Sequence, residues 1–180
     1  MARQLLSPAE IDQFVFLLKD VFTYISDLKK ENPLAADIQY PKLPPKLTES
    51  LAIHLLRGGL ICELKGYEFR FGGNEADIIA TRGAERVRIE VKGTTKGFEY
   101  FGEKDIKANY LMWFDFEELF RKGGDHFTLY VLPHRESRFG GPLKITIASL
   151  KKVTGVDLQF TRHNIQDLLH KMTSQGETNS

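Results

Sequence analysis

The run Glu75-Ala76-Asp77-Ile78-Ile79-Ala80-Thr81-Arg82, then Gly83-Ala84, then Glu85-Arg86-Val87-Arg88-Ile89-Glu90-Val91-Lys92 decides how this chain is read. Two alternating stretches flank a two-residue link with glycine first, the order a type II′ hairpin turn prefers. With Arg82 facing Glu85, the register carried outward sets Asp77 opposite Glu90. The same register puts Ala76, Ile78, Ala80, Val87, Ile89 and Val91 on one face, and Asp77, Thr81, Arg86, Arg88, Glu90 and Lys92 on the other. A slip of one residue would exchange the faces, so this sorting selects one pairing. Ile79 is the exception on the polar face, where a neighbouring helix is expected to cover it.

Residues opposed on an antiparallel pair hold their Cβ atoms about 5 Å apart, so the carboxylates of Asp77 and Glu90 converge. Two like charges so placed need a cation or a proton between them. A hard divalent cation such as Mg²⁺, with Mn²⁺ as a substitute, takes oxygen ligands at about 2.0 Å and keeps waters for substrate oxygens. Lys92 points to the same side, where it stabilises developing negative charge or positions an attacking water. The plainer reading is a solvated hairpin in which Glu90 and Lys92 form a weak surface pair. Glu49 is a further candidate. It lies on an earlier helix, on the face that carries Ala52, Ile53 and Leu56, and so at the edge of an apolar surface where a carboxylate needs a partner. Its alternative is an acid favoured by the helix dipole in the first turn.

Around the hairpin the chain reads as helices followed by strands. Ser7-Pro8-Ala9-Glu10 supplies an N-cap, a proline at the first helical position and a capping-box glutamate. The spacing of Ile11, Phe14, Leu18, Val21, Ile25 and Leu28 predicts one apolar stripe on a helix over 7–31, ended by Asn32-Pro33, packed on its own domain or forming a dimer seam. Pro33, Pro41, Pro44 and Pro45 make an irregular connector, and a second helix is expected from Lys46 to Arg57, closed by Gly58-Gly59. Tyr67 to Phe71 alternates as a strand. Tyr110 to Phe116 reads as either helix or buried strand, and strand is favoured by its aromatic content. Further strands are expected at 127–132 and 144–148, a short helix at 163–172, and a frayed tail at 173–180.

The chain has 180 residues, 42% apolar and 27% charged, the size of a single domain over 1–180 with its own core. Lysine and arginine number 25 against 24 acids, so a polyanion-binding surface must be local. One cysteine, Cys62, excludes an internal disulfide and reads as small core packing. No signal-like or membrane-spanning stretch is apparent, so the expectation is a cytoplasmic protein without a membrane partner.

A helix bearing Glu49, a β-meander bearing Asp77, and then Glu90-Val91-Lys92 together resemble the PD-(D/E)XK nuclease superfamily. The match covers roughly residues 46 to 132, and Ala76 stands where proline often does. The resemblance implies an α/β (α+β mixed) fold with a restriction-endonuclease-like core: a central mixed sheet flanked by helices, with an extra N-terminal helix. It further implies catalytic roles for Asp77, Glu90, Lys92 and Glu49, and metal ligation by Asp77, Glu90 and the Val91 carbonyl. The chain is most similar to a small type II restriction endonuclease, which implies Mg²⁺, double-stranded DNA and a homodimer. Junction resolvases or repair nucleases of the same superfamily are the alternative, and a non-catalytic DNA-binding module is a third.

Arg82, Arg86, Arg88, Lys96, Lys104 and Lys107 cluster by sequence near this constellation, and a basic loop at 134–141 carries Arg135 and Arg138. Arg86, Arg88, Lys96, Arg135 and Arg138 are the expected DNA contacts, with Arg135 and Arg138 as candidates for reading guanine. Phe98, Tyr100 and Phe101 read as local core rather than as a base-stacking surface.

Overall fold

The computed structural model describes residues 4–133, 143–146 and 159–177. Helix α1 spans Pro8–Glu31 and opens with the expected capping box: Ser7 N–H donates to Glu10 Oε2 (2.8 Å), and Glu10 N–H donates to Ser7 Oγ (3.3 Å). Its buried stripe is Ile11, Val15, Phe22 and Ile25, whereas Phe14 and Val21 are 38% and 45% exposed. The expected stripe was thus misplaced by part of a turn. Aromatic and aliphatic residues line two neighbouring faces of this helix, so spacing alone does not choose between them.

A single 3₁₀ turn (Pro33–Ala35) interrupts the proline-rich connector before α2 (Pro45–Arg57). Three strands follow as an antiparallel meander, β1 (Glu68–Phe71), β2 (Ile78–Arg82) and β3 (Glu85–Thr94). Cys62 is exposed rather than core, because the 3₁₀ turn Cys62–Leu64 points Ile61 and Leu64 inward instead. After β3 come β4 (Phe98–Phe101), the short α3 (Glu103–Lys107) and β5 (Tyr110–Asp115). The stretch expected at 110–116 is therefore a strand through Asp115, and Phe116 caps the turn that follows. A wide helical turn (Glu117–Arg121) then leads to β6 (His126–Pro133), and β7 is Leu143–Thr146.

The C-terminal segment departs from expectation. Residues Gln159–Asn164 form a strand, β8, and α4 runs Ile165–Glu177, so the helix starts later than 163 and continues through most of the stretch expected to fray. Asn164 sets this boundary: its Oδ1 accepts from the backbone N–H groups of Gln166 (2.9 Å) and Asp167 (3.2 Å), which is N-cap geometry. Before it, Gln159 to Asn164 pairs antiparallel along the edge of β6.

The central sheet is mixed and six-stranded, ordered β1-β2-β3-β5-β6-β8, with β3 and β5 parallel and every other pair antiparallel. A separate ribbon pairs β4 with β7. Helices α1, α2 and α4 share one apolar cluster with Ile78, Ala80, Ile89, Val91, Met112 and Phe114. On the opposite face the parallel register sets Glu90 beside Leu111 and Lys92 beside Trp113, and Phe101 of β4 meets Trp113 edge-on at 5.8 Å. Among the described residues, no helix is long and apolar enough to cross a membrane.

Candidate active site

The hairpin register is the one read from the sequence. Arg82 pairs with Glu85 across Gly83-Ala84, Gly83 has a φ of 59°, and Ile78 pairs with Ile89. Asp77 therefore leads into β2 directly across from Glu90. Its position is fixed from both sides. The Asp77 carbonyl accepts from Gly72 N–H (3.0 Å), and its Oδ2 accepts from Val91 N–H (2.9 Å). Ile79, the apolar residue on this face, is fully buried. Its Cγ1 would lie 2.9 Å from a Cβ built on Gly72, so the β1–β2 loop backbone packs on it.

Glu90 is 2% exposed. Burial lifts its carboxyl from an ordinary 4.5 to about 7, and Asp77 adds to the lift through its charge and through a hydrogen bond that requires Glu90 to hold the proton. The two carboxylates do face each other, and a cation does lie between them. That cation is the chain's own. Lys104 Nζ stands 3.1 Å from Glu90 Oε1 and 3.7 Å from Asp77 Oδ1. Partial burial works against its charge, but the hydrogen bond to Glu90 and the charges of Asp77, Glu90 and Asp105 outweigh that and hold its pKa above the usual lysine range.

Lys92 does not pair with Glu90. Its Nζ lies 3.0 Å from Oδ1 of Asp105, a carboxylate that is 7% exposed. Asp105 Oδ2 accepts from Gly102 N–H (2.7 Å), so one buried side chain both closes the first turn of α3 and holds the Lys92 ammonium. Sequence reading assigned Asp105 no role. The signal was present as an acid three residues after Gly102, the second half of a capping box without its first.

Glu49 is 3% exposed, as its place on an apolar helix face implies. The start of α2 lies against β3 just past Lys92: a Cβ built on Gly93 would stand 2.5 Å from Thr48 Cγ2. Among the described residues, however, no three His, Cys, Asp or Glu side chains are grouped so as to hold a metal ion. The structure thus joins Asp77 with Glu90 and does not add Glu49 as a third member. The donor set still fits a hard divalent cation, because two carboxylates already embrace a positive charge at this spot.

Of the expected DNA contacts, Arg86 pairs with Glu75 and Arg88 donates to the Lys107 carbonyl (3.0 Å). Arg88, Lys104 and Lys107 line a pocket of about 380 Å³ with Glu75, Glu90 and Ala108. Lys96 is exposed beyond Thr94, whose Oγ1 accepts from the Lys96 N–H (3.1 Å). Arg135 and Arg138 lie outside the described residues. Phe101 is buried and Tyr100 is 64% exposed, so only Phe101 is core, and the segment is strand β4 rather than loop.

No protein-family model matches this chain, and no curated protein matches it closely enough to be a relative.

Proposed function

We propose that the chain is a Mg²⁺-dependent endonuclease that hydrolyses phosphodiester bonds of double-stranded DNA. The proposed family is the PD-(D/E)XK superfamily, and the proposed type a sequence-specific restriction enzyme working as a homodimer. The observation that carries this reading is the pair of facing carboxylates, Asp77 and Glu90, with Lys92 two residues along the same strand face.

Asp77 and Glu90 are the residues that would hold the cation. It would supply Lewis-acid polarisation of the phosphodiester and activation of a nearby water. Asp77 is oriented for this by the Val91 N–H, which leaves its Oδ1 directed to the site. Lys92 places a positive charge where negative charge develops on the phosphate, and Asp105 keeps that ammonium from wandering. The Val91 carbonyl would be a further ligand, and Glu49, buried on α2 outside the carboxylate pair, would act on the site without holding the cation.

A catalytically idle DNA-binding module is the second reading. It draws on Lys104, which already neutralises the carboxylates without any metal. Incubating the purified protein with phage DNA and Mg²⁺, then sequencing fragment ends, separates the readings. Discrete bands are expected. Cleavage confined to branched substrates would point to a junction resolvase, and binding without cleavage to the idle module.

A further inference from the structure

Lys104 lies between two carboxylates that the proposed chemistry reserves for a divalent cation. It reaches them from the solvent side: its side chain is 48% exposed, whereas that of Glu90 is 3% exposed. The neighbouring residue anchors α3 independently, since Asp105 binds both Lys92 Nζ and Gly102 N–H. Lys104 can therefore leave Asp77 and Glu90 without α3 moving. An ammonium and a divalent cation at the same pair of carboxylates repel strongly, so the two occupancies exclude each other. The displaced side chain has somewhere to go. It already lines the pocket of about 380 Å³ whose other walls are the cations Arg88 and Lys107, the carboxylates Glu75 and Glu90, and Ala108, and it can swing from the Glu90 wall toward the cationic one.

We propose that Lys104 is an exchangeable counter-ion, which neutralises Asp77 and Glu90 in the metal-free protein and, once a divalent cation binds, turns to a DNA phosphate in the pocket it shares with Arg88 and Lys107. This rests on the metal-dependent reading of Asp77 and Glu90. It adds that the site is closed by its own lysine at rest, and that occupancy by metal creates a phosphate contact next to the scissile position. The exchange keeps buried Glu90 and part-buried Asp77 compensated in both states, which an unpaired Glu90 in this setting would not be.

The test uses the full chain without DNA first. Mn²⁺ is titrated calorimetrically into wild type, Lys104→Met, Lys104→Arg and Asp77→Asn, with folding checked by circular dichroism. Lys104→Met should bind Mn²⁺ about tenfold more tightly than wild type, the gain from removing an internal competitor bound about nine-tenths of the time. Lys104→Arg should stay near wild type, and Asp77→Asn should lose binding. Equal or weaker binding by Lys104→Met, with wild type binding Mn²⁺, overturns the exchange while leaving the metal site intact. Absence of Mn²⁺ binding in both wild type and Lys104→Met removes the metal site and the exchange together.

The second arm measures duplex affinity against salt, with Ca²⁺ and with EDTA. The slope of log affinity against log salt should fall by about 1 in Lys104→Met with Ca²⁺, the value of one lost phosphate contact, and stay unchanged in EDTA. An equal drop in both conditions, or none in either, overturns the phosphate role.

Discussion

Glu90 and Lys92 sit two residues apart and are balanced by different partners. Lys92→Ala removes a cation but leaves the carboxylates of Asp77 and Glu90 in place; it also strips buried Asp105 of its ammonium partner, so folding of the variant is first confirmed by circular dichroism. Turnover should fall by about 10² to 10³, the usual cost of deleting one well-placed electrostatic group, while DNA affinity changes little. Cleavage kinetics beside a filter-binding assay check this, and near-normal turnover would remove Lys92 from the chemistry. Glu90 makes a separate prediction for the metal-free protein. Its carboxyl is raised to about 7 in the fold, so between an ordinary 4.5 and about 7 the native state keeps a proton that the unfolded chain has released. Stability should therefore fall as pH rises through that window, by on the order of 3 kcal/mol at most, with the loss complete above it. Asp115, lifted by its own burial, adds to the slope in the same sense. Urea unfolding in EDTA at several pH values should show a shallower decline for Glu90→Gln than for wild type. Identical declines would mean that Glu90 does not titrate as described.

At the scale of elements, the site depends on how closely α2 meets β3. Gly93 follows Lys92, and a methyl group there would press on Thr48 Cγ2, part of a β-branched side chain that is 3% exposed and whose hydroxyl donates to the Pro45 carbonyl (2.9 Å). Gly93→Ala should cost about 1 to 3 kcal/mol, the range for overpacking a core, and Thr48→Ser in the same chain should recover part of it. Thermal unfolding of the two variants measures this, and an unchanged melting temperature for Gly93→Ala would contradict the close approach. The hairpin was legible in the sequence because its alternation and its glycine-first turn admit one register. The element that proved decisive for the site, α3, was not. Its five residues carry no helical periodicity, and what ties it to β3 is a long-range contact between Asp105 and Lys92 that spacing cannot reveal. Strand β8 escaped for a similar reason: Gln159 to Asn164 is mostly polar, and it is a strand because the edge of β6 offers it a partner.

Over the whole molecule, the mixed sheet and its flanking helices follow from patterns that burial enforces. Alternate residues of β2 and β3 supply one apolar face, and α1, α2 and α4 cover it. The opposite face is where the sequence argued for a cation between Asp77 and Glu90, and in the structure Lys104 stands at that place. A lysine of the same chain fills that place, so repulsion between the carboxylates does not by itself require a metal. Hydrolysis at this face is the proposed activity. Supercoiled plasmid incubated with wild type and with Asp77→Asn, each in Mg²⁺ and in excess EDTA and each confirmed to be folded, tests it most directly. Linear or nicked product from wild type in Mg²⁺ alone, with none from Asp77→Asn, is the expected result. Cleavage that persists in EDTA, or in folded Asp77→Asn, would contradict it.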